Sequence, residues 1–150
     1  MKIGIAADHG GFELKQVLLL HLKKSGHDLH DFGAFELDSQ DDYPDFIIPL
    51  AKALQDKQID RAIAVCGSGV GASVVANKVN GVRAALITEH FSAHQGVEDD
   101  DVNMICLGGR ITGPAAAQEL VDTFINSNFS GAERHIRRLD KIRLLEKDQL

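Results

Sequence analysis

Apolar residues fall into short continuous runs that alternate with longer amphipathic segments along this chain. The run at residues 62–65 has no polar alternation, which is typical of a strand buried on both faces of a parallel sheet. Between such runs, Leu14, Leu18 and Leu22 lie four residues apart, which is the spacing of one helix face. The pattern therefore predicts strands that alternate with helices.

Strand and helix units of roughly 25 residues predict an α/β fold, a three-layer αβα sandwich with a five-stranded, parallel, Rossmann-like sheet. The predicted strands are residues 2–7, 27–32, 62–65, 82–87 and 103–107. The predicted helices are residues 12–25, 45 to about 57, 73 onward, 90 to about 97, 113–126 and 130–147. Asp45 is expected to cap the second helix, with Pro49 in its opening turns.

The last predicted helix, residues 130–147, is highly charged but also carries apolar residues, namely Leu139, Ile142, Leu144 and Leu145. In one interpretation this C-terminal helix extends from the sheet and packs on a partner subunit. In the other it is a solvated helix on its own domain. The sequence leaves both interpretations open.

Composition and charge exclude several classes of protein. With 150 residues, 44% apolar and 25% charged, the chain is expected to form one domain over residues 1–150. A net charge of −6 disfavours general binding to nucleic acid or membranes, although a local basic cluster could still hold a phosphate. We find no signal peptide and no membrane-spanning run. Two cysteines make no disulfide framework, so a reduced, cytoplasmic setting is expected.

A glycine turn follows the central strand, and a cysteine precedes the turn. Cys66 is followed by Gly67, Gly69 and Gly71 at alternate positions, and then by the helix from Ser73. A strand, a glycine turn and a helix together point backbone N–H groups at an anion. Because the positive end of a helix favours a thiolate, Cys66 is placed to act as a base or nucleophile at the carboxyl end of its strand.

The same turn formally matches the dinucleotide-binding fingerprint G-x-G-x-x-A at residues 67–72. Glu89 lies about 20 residues beyond its first glycine, where that fingerprint places an acid. Two features count against a dinucleotide site. The motif follows the third strand rather than the first, with no second domain left for a substrate, and a cysteine before the first glycine has no role in dinucleotide binding.

Other residues are candidates for chemistry or for packing. Asp8 and His9 end the first strand, before two glycines that let a ligand approach the backbone. Arg134 and Arg138 lie one helical turn apart and could grip a phosphate, although a solvated basic face is the commoner meaning of such a run. Cys106 lies inside an apolar strand and is expected to pack in the core.

One histidine pair has the spacing of metal ligands. His90 and His94 share a predicted helix face, and Glu98 follows them. No compact third ligand is fixed, and the nearby acids are typical of a solvated turn. No metal site is predicted.

With these residues assembled, the chain resembles the ribose-5-phosphate isomerase B family, which includes the galactose-6-phosphate isomerase subunits. The blocks that carry the resemblance are residues 8–11 (DHGG), 42–44 (DYP), 66–71 (CGSGVG), 76–78 (ANK), 81–84 (GVRA), 108–110 (GGR) and 134–138 (RHIRR). The resemblance implies aldose–ketose isomerisation of ribose 5-phosphate and ribulose 5-phosphate without metal or organic cofactor. It also implies a homodimer or a dimer of dimers, in which two subunits share each active site.

The resemblance further implies a role for each site residue. Cys66 would be the base that moves a proton between C1 and C2, because Ala72 stands where some relatives use a Glu, and Ser68 would contact the sugar. Asp8 and Tyr43 would bind sugar hydroxyls. In this resemblance the backbone of residues 67–71 would stabilise an enediolate, and His9 with the three arginines would hold the phosphate. The substrate-binding residues so implied are Asp8, His9, Tyr43, Gly67, Gly69, Val70, Gly71, Asp100, Arg110, Arg134 and Arg138.

Asp99 departs from the family pattern, in which a His at this position helps to open the furanose ring. A carboxylate is a poor proton donor at neutral pH unless its pKa is raised, and the acids at residues 98–101 are expected to raise it. Either Asp99 replaces the His as a catalytic group, or the substrate is a tetrose 4-phosphate, which cannot close a furanose. A hexose 6-phosphate is a further alternative.

Overall fold

The computed structural model describes residues 1–147, and in it strands and helices alternate as the hydrophobic pattern predicts. The strands are β1 (Lys2–Ala7), β2 (Asp28–Asp31), β3 (Arg61–Cys66), β4 (Ala84–Leu86) and β5 (Met104–Gly108). The helices are α1 (Phe12–Leu22), α2 (Tyr43–Gln55), α3 (Val70–Ala76), α4 (His90–Asp100), α5 (Pro114–Asn126) and α6 (Glu133–Glu146). None of the helices within residues 1–147 has the length and apolar character that spanning a bilayer requires.

The five strands form one parallel sheet in the order β2-β1-β3-β5-β4. Helices α1, α4 and α5 contribute to the core on one face of the sheet, and α2 and α3 to the core on the other. This arrangement confirms the predicted α/β sandwich, because a parallel sheet needs helices on both faces to bury its apolar strands.

The central strand β3 supplies side chains to both cores, since successive residues of a strand point to opposite faces. Ile63 and Val65 lie in the core with α1 and α5. Ala62, Ala64 and Cys66 lie in the core with α2 and α3. Cys66 therefore ends its strand on the side of the sheet that α3 covers.

The start of α2 differs from the prediction. Asp42 is the N-cap residue and Tyr43 begins the helix, with Pro44 in the first turn, where a fixed φ and a missing N–H cost nothing. Asp45 is thus not the cap, and it lies in the first turn, where a carboxylate still favours the positive helix end. Pro49 lies inside the helix rather than in its opening turn.

Helix α4 is longer than predicted, because Gly96 does not end it. The helix continues to Asp100, so the acids from Glu98 onward are helical instead of forming a turn. It ends at Asp101, which adopts the left-handed conformation at φ 48° and lets Val102 N–H bond the carbonyl of Gly96 at 3.1 Å. Other element ends differ from prediction by up to three residues, as at the end of α1.

A buried lysine fastens α1 to the segment that leads from β2 to α2. Lys15 is fully buried. Its ammonium donates hydrogen bonds to both carboxylate oxygens of Asp31, at 2.8 and 3.0 Å, and to the carbonyl of Ala34 at 2.6 Å. It also lies 5.6 Å from the ring centre of Phe35. The charge is therefore satisfied inside the protein, and the segment is held beside β1.

We expect Lys15→Met to destabilise the protein while preserving side-chain volume. Removing one partner of a buried ion pair costs about 3–5 kcal/mol, and we expect the lower end of that range, since the Asp31 side chain is 28% exposed. Urea unfolding followed by circular dichroism measures the change. Lys24→Met, at an exposed lysine just beyond α1, is the matched control and should stay within about 0.5 kcal/mol. Equal stability of the two variants would contradict the assignment.

Candidate active site

Strands β1 and β3 end side by side at the carboxyl edge of the sheet. The chain then leaves them toward opposite faces, because α1 packs in one core and α3 in the other. Loops that diverge from adjacent parallel strands leave a crevice between them, and this is the usual ligand site of an open α/β sheet. Asp8 and His9 follow β1 and the glycine turn follows β3, so both predicted motifs border the crevice.

The loop after β5 packs against the other two loops. Gly109 N–H donates a hydrogen bond to the carbonyl of Cys66 at 2.8 Å, and Arg110 N–H donates one to the carbonyl of Gly67 at 3.0 Å. A Cβ atom on Gly109 would overlap the carbonyl oxygen of Gly10, so the close approach of the three loops requires glycine there. Arg110 is thereby held at the mouth of the crevice.

The crevice contains a cavity of ≈ 340 Å³, a volume suited to a small metabolite. It is lined by Asp8, Tyr43, Cys66, Gly67, Ser68, Gly71, Arg110 and Ile111. All of these except Ile111 are candidate residues from the sequence. An isolated apolar residue in a loop gives no signal of its own, and only the fold shows that Ile111 borders the cavity.

The thiol of Cys66 lies at the floor of the cavity and is 4% exposed. Gly69 N–H donates a hydrogen bond to its sulfur at 3.1 Å, so a backbone donor faces the sulfur. Gly69 has φ 80°, in the left-handed region that glycine adopts without strain. This conformation turns the chain from the loop into α3, so that the donor and the sulfur meet.

His9 is paired with an acid that the sequence reasoning missed. Its ring Nδ1 lies 2.6 Å from Oδ1 of Asp41, and its backbone N–H donates to the same oxygen at 2.9 Å. The hydrogen bond to Asp41 raises the pKa of His9 above its ordinary value, and the neighbouring Asp8 charge acts in the same direction. The two residues are 32 positions apart, so no local spacing could have linked them.

Asp8 completes this cluster. Its carboxylate accepts a hydrogen bond from Gly11 N–H at 3.1 Å, and burial raises its pKa. The ligand-capable atoms of Asp8, His9 and Asp41 lie within 4.8 Å of one another, but a hydrogen bond already joins two of the three side chains. One member of the histidine pair on α4, His90 and His94, is likewise hydrogen-bonded, since Nδ1 of His94 lies 3.1 Å from Oε2 of Glu98.

His9 and Arg110 also border a second cavity, of ≈ 240 Å³, beside the first. Arg110 lines both cavities. Glu13 and Leu37 lie on the walls of the second one. Because two cationic side chains face one small space, this cavity is suited to an anionic group.

Val70 begins α3 directly after the glycine turn. Four other candidate residues belong to elements at the opposite edge of the sheet, namely Asp99, Asp100, Arg134 and Arg138. Helix α4 runs back from the carboxyl edge, so Asp99 and Asp100 at its end lie near the start of β5. Ser130 N–H donates to the carbonyl of Glu98 at 2.9 Å, which places the start of α6 there as well. A strand rises about 3.3 Å per residue, so strands of about five residues separate the two edges of the sheet by roughly 15–20 Å. One chain therefore does not bring Asp99, or the arginines of α6, to Cys66.

Asp99 belongs to a cluster centred on His135, which is buried. Nε2 of His135 accepts a hydrogen bond from Arg134 Nε at 2.8 Å and lies 3.4 Å from Asp99. Hydrogen bonding from Gln95 lowers the pKa of Asp99, and the nearby Arg134 and Arg138 lower it further. The expectation of a raised pKa is therefore wrong, because these donors and cations outweigh the neighbouring acids.

The acid required by the dinucleotide alternative is engaged elsewhere. The Glu89 carboxylate accepts hydrogen bonds from the N–H groups of Phe91 at 2.6 Å and Ser92 at 2.8 Å, and so caps α4. These bonds lower the pKa of Glu89. A carboxylate committed to a helix cap is not free to bind a ribose, which disfavours a dinucleotide site.

Comparison with known proteins shows similarity over nearly the full length of the chain. The family model described as Ribose/Galactose Isomerase matches residues 3–142. The solved structure of Clostridium thermocellum ribose-5-phosphate isomerase B has a TM-score of 0.95 and 43% identity, covering 100% of both chains. The crystal structure of Mycoplasma genitalium ribose-5-phosphate isomerase B with bound ribulose-5-phosphate has a TM-score of 0.92 and 40% identity, covering 98% of this chain and 97% of that one. Mycobacterium tuberculosis ribose-5-phosphate isomerase B is 40% identical over 140 residues, 93% of this chain and 86% of that protein.

We expect iodoacetamide to alkylate Cys66 at least about tenfold faster than Cys106, because Cys66 borders a cavity that the reagent can enter and Cys106 does not. Cys106 is fully buried, and burial raises the pKa of its thiol. Peptide mass spectrometry of the native protein at increasing reaction times measures both rates. Cys106→Ala should leave the labelling rate unchanged, whereas Cys66→Ala should abolish it. Faster labelling of Cys106 would show that the cavity does not expose the Cys66 sulfur.

Proposed function

The chain belongs to the Ribose/Galactose Isomerase family, and on that premise we propose that it is an aldose–ketose isomerase that interconverts ribose 5-phosphate and ribulose 5-phosphate. The observation that carries the proposal is the Cys66 sulfur, hydrogen-bonded to Gly69 N–H and bordering a cavity that Asp8, Tyr43 and Arg110 also line. The similar M. genitalium enzyme with bound ribulose-5-phosphate supports the choice of substrate.

Cys66 is the proposed base for the proton transfer. Starting from the open-chain aldose, its thiolate takes the proton from C2, the C2–H electrons form the enediolate double bond, and the C1=O pair moves onto the C1 oxygen. The proton of the C2 hydroxyl then passes to the C1 oxygen, the C2–O bond becomes the carbonyl, and the thiol returns its proton to C1 of the ketose. A positioned base contributes about 10²–10⁴ in rate. The backbone N–H groups of residues 67–71 stabilise the negative oxygen, and one such donor is worth about 10²–10³.

We assign different parts of the substrate to the two adjoining cavities. We assign the sugar to the cavity above Cys66, where Asp8 and Tyr43 bind its hydroxyl groups and Ser68 contacts it at the exposed rim. We assign the phosphate to the second cavity, where His9 and Arg110 supply positive charge. The two assignments agree with the order of groups along a sugar phosphate, because the reacting carbons and the phosphate lie at opposite ends.

We further propose that two copies of the chain, each a single domain over residues 1–150, share every active site, in a homodimer or a dimer of dimers. Asp99, Asp100, Arg134 and Arg138 cannot reach Cys66 within one chain, so a partner must supply them. Exposed apolar side chains lie on the elements that follow the carboxyl edge and on α6, as is common where another subunit packs. They are Val70 and Val74 on α3, Leu86 at the end of β4, Phe91 on α4 and Ile111 after β5, and Ile136, Ile142, Leu144 and Leu145 on α6.

Asp99 favours a second candidate substrate. With its pKa lowered, Asp99 is a carboxylate at neutral pH, so it can accept the proton of a ring hydroxyl but has none to donate to the ring oxygen. If Asp99 still opens the ring of ribose 5-phosphate, it acts as the base and another group protonates the oxygen. A tetrose 4-phosphate needs no such step, because its terminal oxygen carries the phosphate and no furanose forms.

Activity on two sugars tests these proposals together. We expect turnover of ribose 5-phosphate and, in D₂O, NMR-detected exchange of the transferred proton. Cys66→Ala should lower kcat by about 10²–10⁴ because it removes the base, whereas Cys106→Ala should leave kcat within about threefold. A much higher kcat/KM on erythrulose 4-phosphate would replace ribose 5-phosphate as the substrate. Absence of exchange into either sugar, together with calorimetric binding of NAD, would support the dinucleotide alternative.

Subunit mixing tests the shared site. Cys66→Ala and Arg138→Ala each damage a different half of the site, so unfolding and refolding them together should restore about a quarter of wild-type activity, from the one intact site of each mixed dimer. The matched control mixes Cys66→Ala with Arg110→Ala, which affect the same half. That mixture should show no recovery. Equal activity in the two mixtures would mean that one chain builds its own site.

A further inference from the structure

Asp41 lies in the loop between β2 and α2, and its environment differs from that of the other acids there. Its side chain is 9% exposed, whereas Glu36, Asp38 and Asp42 are exposed. One of its carboxylate oxygens, Oδ2, is buried and has no hydrogen-bond partner within residues 1–147. A buried carboxylate oxygen without a partner is costly to keep. Its retention here points to a function beyond surface charge.

The other oxygen of Asp41 is committed to a single residue. Oδ1 receives both the backbone N–H and the ring Nδ1 of His9. A carboxylate can only accept hydrogen bonds, so the proton between the two side chains belongs to Nδ1 of the imidazole. The backbone contact holds the loop and the ring contact holds the side chain. His9 is thus held in one orientation with Nδ1 protonated, and Nε2 remains for the cavity that His9 shares with Arg110.

We propose that Asp41 is a positioning residue for the isomerisation, which keeps His9 oriented and positively charged so that Nε2–H donates a hydrogen bond to the substrate phosphate. The inference rests on the proposed function, since it takes the anion in the second cavity to be that phosphate. Asp41 itself does not touch the substrate and acts only through His9.

Charges around His9 determine when the ring carries its proton. Asp41 and Asp8 stabilise the imidazolium and raise the pKa of His9. Arg110 faces the same cavity and opposes a second positive charge, whereas Glu13 on α1 favours it. A group whose pKa is raised keeps its charge below that pKa and loses it as the pH rises through it. Since a phosphate monoester becomes a dianion above about pH 6, Asp41 widens the pH range in which imidazolium and dianion coexist.

Asp41→Asn tests the pair, because it removes the negative charge but keeps the size and one acceptor. We expect the NMR titration of the His9 ring to move to lower pH and the alkaline limb of the kcat/KM profile to move with it. At a pH above the ordinary histidine pKa, each unit by which the His9 pKa falls lowers the fraction of imidazolium about tenfold. KM for ribose 5-phosphate should therefore rise severalfold at pH 8 and change less at pH 6, with a much smaller change in kcat.

Asp38→Asn is the matched control in the same loop. Asp38 is exposed, and its Oδ1 accepts a hydrogen bond from Gln40 N–H at 2.9 Å, a contact that asparagine can also make. The Asp38→Asn variant should leave the His9 titration and the KM for ribose 5-phosphate unchanged. A lower stability of Asp41→Asn with an unmoved alkaline limb would show a structural role only and overturn the proposal. The proposal would also be overturned if EDTA abolished the activity of the wild type and a divalent cation restored it.

Two readouts do not depend on isomerase activity. A wild-type His9 that titrates at or below pH 6.5 contradicts the proposal even if no variant folds. Inorganic phosphate, added to the wild type and to Asp41→Asn, should perturb the His9 resonances more weakly in the variant. If neither sugar reacts but the His9 results are as expected, the proposed function is wrong and the pairing of Asp41 with His9 is still supported. If ribose 5-phosphate reacts and Asp41→Asn behaves as wild type, only the positioning role of Asp41 is wrong.

Discussion

The adjacency of β1 and β3 in a parallel sheet is the constraint on which the site depends. Their loops must diverge, since the following helices cover opposite faces of the sheet. The crevice between the loops receives Asp8 and His9 from one side and Cys66 from the other. Any change in strand order would separate these groups, however well each loop folded locally. The chemistry is thus set by sheet topology before any side chain contributes.

Close packing of loops concentrates charge in the crevice. Glycine at positions such as 109 lets three loops meet, so that His9 and Arg110 lie within reach of one anion. The same closeness places Asp8 and Asp41 beside His9, and their negative charge offsets the repulsion between the two cations. A compact site of mixed charge can bind a phosphate strongly, because each group is held in place by the loops rather than by its own flexibility.

A hydrogen bond within α4 and charges on α6 reverse an expectation based on neighbours in sequence. Asp99 is surrounded by acids along the chain, yet its pKa is lowered, since Gln95 donates a hydrogen bond to it and the cations of α6 lie nearby. The result changes the chemistry that Asp99 can perform from donating a proton to accepting one. Under the proposed function, it also relates the choice of sugar to the packing of α4 against α6, two helices that no motif in the sequence connects.

Periodicity and motifs were sufficient to predict alternating strands and helices, the parallel sheet and the position of Cys66 between a strand and a glycine turn. These features depend on residues a few positions apart, whose backbone preferences and apolar spacing are local. The pairing of His9 with Asp41, the extension of α4 through Gly96 and the separation of Asp99 from Cys66 could not be predicted in this way. The pairing and the separation depend on groups distant in sequence that meet only when the sheet assembles, and local energies carry no information about which distant partner will be nearest. The extension of α4 was missed for a different reason, because an isolated glycine is tolerated inside a helix and does not by itself fix where the helix ends.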